Sequence, residues 1–215
     1  GMNGIKLEVR TMFVTGLTQH IDDILSLVSD VGVDVIGAVA TPFSSEAMLL
    51  SDRQKNAGVA IVDIGAETTT LSVYENGIMM GIQVFPIGSS DITNDIALGL
   101  QVALDEAEEI KIGSFIGNHS RKKVDDIVDG RLKDIFEIID VYLRKIKRSG
   151  LLPAGVTIIG GGSLLHQVSR VAKSVLQVPS QVGHSEFFEN SKNKAKDATW
   201  FNTYGLLISN IEYGD

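Results

Sequence analysis

The chain has 215 residues, no cysteine, 44% hydrophobic and 6% aromatic side chains, and a formal net charge of −8. That length and balance suit one sizeable α/β domain, or a domain with a small appendage, and do not suit a disordered chain. The acidic surplus excludes a general nucleic-acid binder, the missing cysteines exclude disulfides and thiolate metal sites, and no apolar run approaches the ~20 residues of a membrane helix.

In chain order, Gly1 ahead of Met2 reads as a scar of tag removal, so the natural chain is expected to begin upstream. Leu7 to Thr15 predicts a strand. Ile21, Ile24, Leu25, Val28 and Val31 predict a helix that stops at Gly32, and Val33 to Ala40 predicts a second strand. Pro42 opens a short helix through Leu50, and Ser51 to Asn56 reads as a polar linker.

From Gly58 to Gly77 the sequence carries chemistry. The apolar run Val59–Val62 ends at Asp63, Gly65 breaks it, and Thr69, Leu71 and Val73 alternate with Thr70, Ser72 and Tyr74 as a half-buried strand. Asn76-Gly77 signals a tight turn into a third strand, Ile78 to Phe85. A carboxylate is not tolerated inside a buried strand, so Asp63 belongs at its end, facing a cleft. Gly65 permits unusual backbone angles and close ligand approach, and the turn amides with the Thr68 and Thr69 hydroxyls form a candidate phosphate cradle. An Asp beside polyphosphate implies Mg²⁺. The same residues also fit an ordinary hairpin with a Gly turn and an Asx cap.

Ile92, Ile96 and Leu100 share one helical face, and Asp105 to Lys111 predicts a second helix with acidic residues in its first turn. Residues 112–130 are polar and patternless. Arg131 to Arg148 predicts a long amphipathic helix whose basic end is either a solvated face with dipole compensation or a partner-binding face. Val156 to Ile159 is a buried strand running into Gly160, Gly161, Gly162 and Ser163, with a helix expected from Leu164 to Leu176. Strand, glycine turn and helix N-terminus suit nucleotide contact, although neither a Walker loop nor a Rossmann fingerprint is present. Pro179 to Val182 predicts a short strand, and Lys192, Lys194 and Lys196 a solvated loop. Trp200 to Ile211 predicts a last helix with Phe201, Tyr204, Leu207, Ile208 and Ile211 inward. His20, His119, His166 and His184 lack metal-ligand spacing and receive no role.

Taken together, these pieces resemble one superfamily. Asp63-Ile64-Gly65-Ala66-Glu67-Thr68-Thr69-Thr70 resembles the second phosphate loop of the actin/Hsp70 superfamily. Val156 to Ser163 resembles its adenosine motif, and Ala107-Glu108-Glu109-Ile110-Lys111 the helix whose Glu and Lys flank adenosine. Leu7 to Thr15, Ile92 to Ala97 with Glu106 to Glu108, and Tyr204 to Leu207 resemble the FtsA family of bacterial cell-division proteins within it. Ala66 and Glu67 replace two loop glycines and Thr70 a terminal Asp. Asp-Ile-Gly-Ala also resembles the type IV pilus assembly family PilM, which is the alternative. An Hsp70-like or sugar-kinase-like enzyme is a third class, but no catalytic Asp or large substrate domain is seen for a sugar kinase.

The resemblance implies an α/β, actin-like (ribonuclease H-like) lobe with a mixed sheet flanked by helices, plus a small helical subdomain and part of a small α+β appendage. It divides the chain into 1–41 (part of the small extra domain), 42–57 (connecting helix and linker), 58–104 with 151–215 (nucleotide-binding lobe) and 105–150 (smaller subdomain). ATP and Mg²⁺ are the implied cofactors. Asp63 would order the metal, Gly65, Thr68 and Thr69 would bind phosphates, Glu108 and Lys111 would flank adenosine, and Gly160, Gly161, Gly162 and Ser163 would back the nucleotide. No first phosphate loop is found, so a fragment with half a site is expected, binding ATP weakly or undetectably and without turnover. The implied partners are the C-terminal peptide of the tubulin-like division protein FtsZ, docking near Arg131 and Lys133, and further copies of the protein in filaments. The implied place is the cytoplasmic face of the cell membrane, reached through a segment outside this chain.

Overall fold

A computed structural model describes residues 8–9, 11–114, 117, 119–184 and 198–212, with side chains described through residue 208. The chain divides into two compact units, residues 1–40 and 41–215.

In the first unit, α1 (Thr18–Asp30) forms where the helical spacing predicts it, and Gly32 follows with φ +79°. The flanking strands do not form: the described residues of 8–17 and 33–40 carry no strand. Alternating apolar residues become a strand only by pairing with a neighbour, and here Phe13 and Ile36 remain more than four-fifths exposed. Leu7 lies outside the described residues.

The second unit is built on a five-stranded mixed sheet, ordered β3-β2-β1-β4-β5. The strands are β1 (Val59–Ile64), β2 (Thr69–Glu75), β3 (Ile78–Phe85), β4 (Val156–Ile159) and β5 (Ser180–Val182). The first three form an antiparallel meander, while β4 lies parallel to β1 and β5 parallel to β4. Asn76 (φ 54°) and Gly77 (φ 76°) make the left-handed pair that the tight β2–β3 turn requires.

Alternation along β1 sends Val59 and Ile61 to one face of the sheet and Ala60, Val62 and Ile64 to the other, all but Ile61 wholly buried. On the first face, Val59, Ile61, Tyr74 and Ile159 pack against α2 (Thr41–Leu49) and α8 (Phe201–Glu212) through Met48, Leu49 and Phe201. Each such side chain contributes about 1.5–3 kcal/mol of burial. Gly205 lets the two helices touch, since a Cβ there would stand 1.9 Å from the Ser44 carbonyl oxygen. The other face carries α4 (Ser89–Leu100), α5 (Leu104–Lys111), α6 (Arg121–Lys145) and α7 (Val168–Leu176).

Four sequence readings are corrected. The expected linker at Ser51 to Asn56 is the helix α3 (Asp52–Ala57), nucleated by a capping box in which the Ser51 hydroxyl and Gln54 side chain satisfy each other's amides. The long helix begins at Arg121 rather than Arg131, because Val124 and Val128 extend the buried stripe through an open site at Gly130. The expected helix from Leu164 splits into a 3₁₀ turn (Gly161–Leu164) and α7, parted by Leu165 in an extended conformation. Leu207 is 61% exposed, not inward, whereas Phe201 is buried. The Ile211 side chain and Lys192, Lys194 and Lys196 lie outside the described residues.

Candidate functional site

Parallel pairing of β1 with β4 sets Asp63 opposite Ile159, so the turn after β1 and the glycine turn after β4 leave the sheet side by side at the carboxyl ends of their strands. Ligands of open α/β sheets sit at such ends. Asp63 is half-buried on the α8 face, where Asn202 Nδ2 donates to its Oδ2 at 2.7 Å. Burial pushes the Asp63 carboxyl above its ordinary value, and the Asn202 hydrogen bond offsets this only in part. Its Oδ1 faces Gly160, at whose φ of +81° a Cβ would stand 2.3 Å from that oxygen.

The turn after β1 is closed by the Gly65 N–H donating to the Thr68 carbonyl at 2.9 Å. Gly65 is outside the left-handed region, contrary to the expectation of unusual backbone angles; its constraint is spatial, since a Cβ would stand 3.1 Å from Thr68 O. The left-handed glycine of the site is Gly160. The Gly65 and Ala66 carbonyls accept the Ser89 and Ser90 amides at 2.9 and 2.8 Å and so satisfy the N-terminus of α4. Thr68 and Glu67 are exposed, so the Glu67 carboxylate is free to point away. Thr69 is fully buried and its hydroxyl donates to the Ile87 carbonyl at 2.8 Å, which holds the β3–α4 connection against β2. The Ser163 hydroxyl is likewise internal, donating to Gly160 O at 2.6 Å.

Glu108 and Lys111 stand one turn apart on α5 and pair at 2.7 Å. The Lys111 ammonium, 8% exposed, also donates to Ser89 O at 3.1 Å and to the Thr93 oxygen at 2.9 Å, while the Thr93 hydroxyl donates to Glu108 at 2.5 Å. Burial alone raises the Glu108 carboxyl, but the hydrogen bonds from Lys111 and Thr93 and the Lys111 charge outweigh it and hold the group below its ordinary value. This pair shares a cleft of about 430 Å³ with Gly161 and Gly162, and Arg121, Asp125, His166 and Gln167 line the same cleft. That volume lies within the ~300–1,000 Å³ of small-molecule sites. A Cβ on Gly161 would meet nothing within 4 Å, so its backbone is open to the cleft, whereas one on Gly162 would strike Ile64.

The fold therefore brings Glu108, Lys111, Gly161 and Gly162 to one cleft, with Gly160 bridging to Asp63. It does not bring Arg131 and Lys133 together, because residues two apart on a helix point about 200° apart. Arg131 is held bidentate by Asp95 of α4 at 2.6 and 2.8 Å, and Lys133 lines a groove between α6 and α7, paired with Glu137 at 3.5 Å. Among the described residues no three His, Asp or Glu side chains converge as a metal cage. Sequence reading missed Asn202, Thr93, Asp125 and Gln167, whose partners are distant in the chain, and gave His166 no role although it lines the cleft.

The FtsA family model, described as cell division protein FtsA, matches residues 60–201. A cell division protein FtsA from Bacillus subtilis is 30% identical over 198 residues, covering 82% of this chain and 45% of the relative. One from Pseudomonas aeruginosa is 25% identical, covering 99% and 56%. The chain thus spans about half the length of these relatives. Among solved structures, a PilM-PilN type IV pilus biogenesis complex matches with a TM-score of 0.72 at 18% identity, covering 89% of this chain and 57% of that one. MreB5 of Spiroplasma citri bound to AMPPNP matches at 0.70 and 16%, covering 93% and 68%. These likenesses establish the actin-like fold, and with the family match over residues 60–201 they lead to one conclusion: the chain belongs to the FtsA family of cell division proteins.

Proposed function

We propose that residues 41–215 are the second lobe of an actin-like, ATP-binding division protein and supply that lobe's share of a Mg²⁺–nucleotide site. The observation that carries this reading is the Glu108–Lys111 pair lining one cleft together with Gly161 and Gly162. In it, Glu108 and Lys111 flank adenosine, the open backbone at Gly161 admits the nucleotide, and Gly65 with the exposed Thr68 meets phosphates. Asp63 orders the metal, whose contribution is to neutralise phosphate charge. The buried Thr69 and Ser163 hydroxyls act by shaping the two turns. Turnover requires an in-line water positioned by a complete cleft, so this chain alone binds ATP weakly and does not hydrolyse it. Residues 1–40 form part of the small extra domain, and the whole protein polymerises and tethers the division ring to the membrane through the tail of FtsZ, docking near Lys133.

Calorimetric titration of ATP·Mg²⁺ into this chain and into the longest chain encoded by the same gene tests the reading. Binding by the longer chain that Asp63→Ala abolishes is the expected result. No heat at millimolar nucleotide with the longer chain would overturn it, and would point to Ala66, Glu67 and Thr70 having emptied the site. A nucleotide-independent scaffold that binds a partner's peptide would then take its place.

A further inference from the structure

Asp63 has one oxygen tied and one open. Asn202 Nδ2 donates to its Oδ2 at 2.7 Å, while its Oδ1 accepts no hydrogen bond among the described residues. The amide orientation follows from chemistry: a carboxylate accepts and does not donate, so the Asn202 nitrogen faces Asp63 and its Oδ1 is the atom left buried without a partner. A buried carbonyl without a donor is a penalty that folded chains rarely keep without a use. What the chain gains in return is the bond to Asp63 Oδ2. The backbone on both sides of Asn202 is fixed. Phe201 is 1% exposed in the core between the sheet, α2 and α8, and Gly205 sits against Ser44, where a Cβ would stand 1.9 Å from the carbonyl oxygen. The amide therefore reaches Asp63 already placed.

The other oxygen keeps room beside it because of a glycine. Gly160 passes Asp63 Oδ1 at φ +81°, and a Cβ there would stand 2.3 Å from that oxygen and fill the space. β1 and β4 end together at this point, at the carboxyl edge of the sheet. A single carboxylate oxygen with free space at such an edge fits a divalent cation, or a water that one holds, when phosphates supply further ligands. We propose that Asn202 is a positioning residue: it ties Asp63 Oδ2 to α8 so that the carboxylate presents Oδ1 alone to the cation, and thereby favours Mg²⁺ over Ca²⁺. The proposal rests on the Mg²⁺–nucleotide reading above and deepens it. A carboxylate limited to one oxygen cannot close on a cation with both. Ca²⁺ readily takes both oxygens of one carboxylate, whereas Mg²⁺ demands near-ideal octahedral geometry and keeps several of its waters. Holding Oδ2 away removes a mode of binding that only the larger ion exploits. Partners that orient a metal-binding carboxylate in this way are typically worth 10- to 100-fold in metal affinity, by order of magnitude.

The test is calorimetry of ATP binding to the longest chain encoded by the same gene, with Mg²⁺, with Ca²⁺ and with EDTA. Wild type should bind most tightly with Mg²⁺. Asn202→Leu keeps the volume and removes the donor. It should reduce the gain from Mg²⁺ over EDTA by about tenfold or more, erase the preference for Mg²⁺ over Ca²⁺, and leave the affinity in EDTA unchanged. Asn202→Ser is small enough to admit water beside Oδ2, so it folds where the leucine does not, and it should shift the same two ratios. Melting temperatures are recorded alongside. A merely structural Asn202 would weaken binding alike under all three conditions. That result, or unchanged ratios in folded variants, overturns this role for Asn202 while the nucleotide reading stands, as does wild type binding ATP equally well with either cation. If wild type binds ATP under none of the conditions, both fall together.

Discussion

Asn202 Nδ2 reaches Asp63 Oδ2 at 2.7 Å across a sequence separation of 139 residues, tying α8 to the end of the central strand. The bond leaves Asn202 Oδ1 buried and unpaired, and leaves Asp63 with Oδ1 as its uncommitted oxygen. Asp63 is thus partly desolvated and held in one orientation.

The burial gives Asp63 a defined pH signature. Its folded pKa is raised above the ordinary 3.8, so the folded state holds this proton more tightly than the unfolded state does. Stability from this group is full below the unfolded value and falls as pH rises through the folded one. Asp63→Asn keeps an acceptor for Asn202 and removes the charge. It should gain about 1 kcal/mol over wild type at pH 8, with the gain vanishing toward pH 4, in urea unfolding. A constant difference across that range would show that Asp63 is not strained by burial.

The two neighbouring glycines separate structure from binding. Gly160→Ala places a Cβ 2.3 Å from Asp63 Oδ1 and 2.6 Å from Ile64 O at a left-handed φ, and should cost about 3 kcal/mol or more. Gly161→Ala meets open space and should change stability by less than about 1 kcal/mol, yet weaken nucleotide binding by roughly tenfold because its methyl enters the cleft. Unchanged affinity in the second variant would place the ligand elsewhere.

Much of this lobe was legible because its signals are local. The β1–β3 meander rests on an apolar run, an alternation and Asn76-Gly77, and α5 on acidic residues at its start. Gly130 obscured the start of α6 although Val124, Val128 and Leu132 keep one buried stripe. The strands expected around α1 depended on pairing partners that apolar alternation cannot supply. Within the site, Asp63 and the glycines announced themselves by type and position. Thr93, Asp125, Gln167 and Asn202 did not, since an isolated polar residue on a helix reads as solvated until the fold supplies its partner.

The Glu108–Lys111–Thr93 cluster should behave oppositely to Asp63 with pH. The Glu108 carboxyl lies below its ordinary 4.5, so its contribution is present above the unfolded value and is lost as pH falls through the folded one. Glu108→Gln should cost about 1 kcal/mol at pH 7, a figure reduced for the half-exposed carboxylate, and nothing once acid has neutralised wild type. Lys111→Met should lose a similar amount, and the double variant less than the sum, because both remove one interaction. Strict additivity in chemical unfolding would mean that the pair does not act as a unit.

Arg131 and Lys133, two residues apart on α6, have different neighbours. Arg131 joins α6 to α4 through both oxygens of Asp95, so Arg131→Ala should lower stability by about 1 kcal/mol. Lys133 is 63% exposed in the α6–α7 groove and makes a single helical ion pair with Glu137, so Lys133→Ala should change stability by less than about 0.5 kcal/mol. If the groove receives an acidic peptide such as the proposed division-protein tail, Lys133→Ala should weaken its binding several-fold, read by fluorescence anisotropy with a labelled peptide. Arg131→Ala should leave that affinity unchanged while the lobe stays folded, because Asp95 already occupies its guanidinium. The reverse pattern would move the docking surface from the α6–α7 groove to the α4 side of the helix.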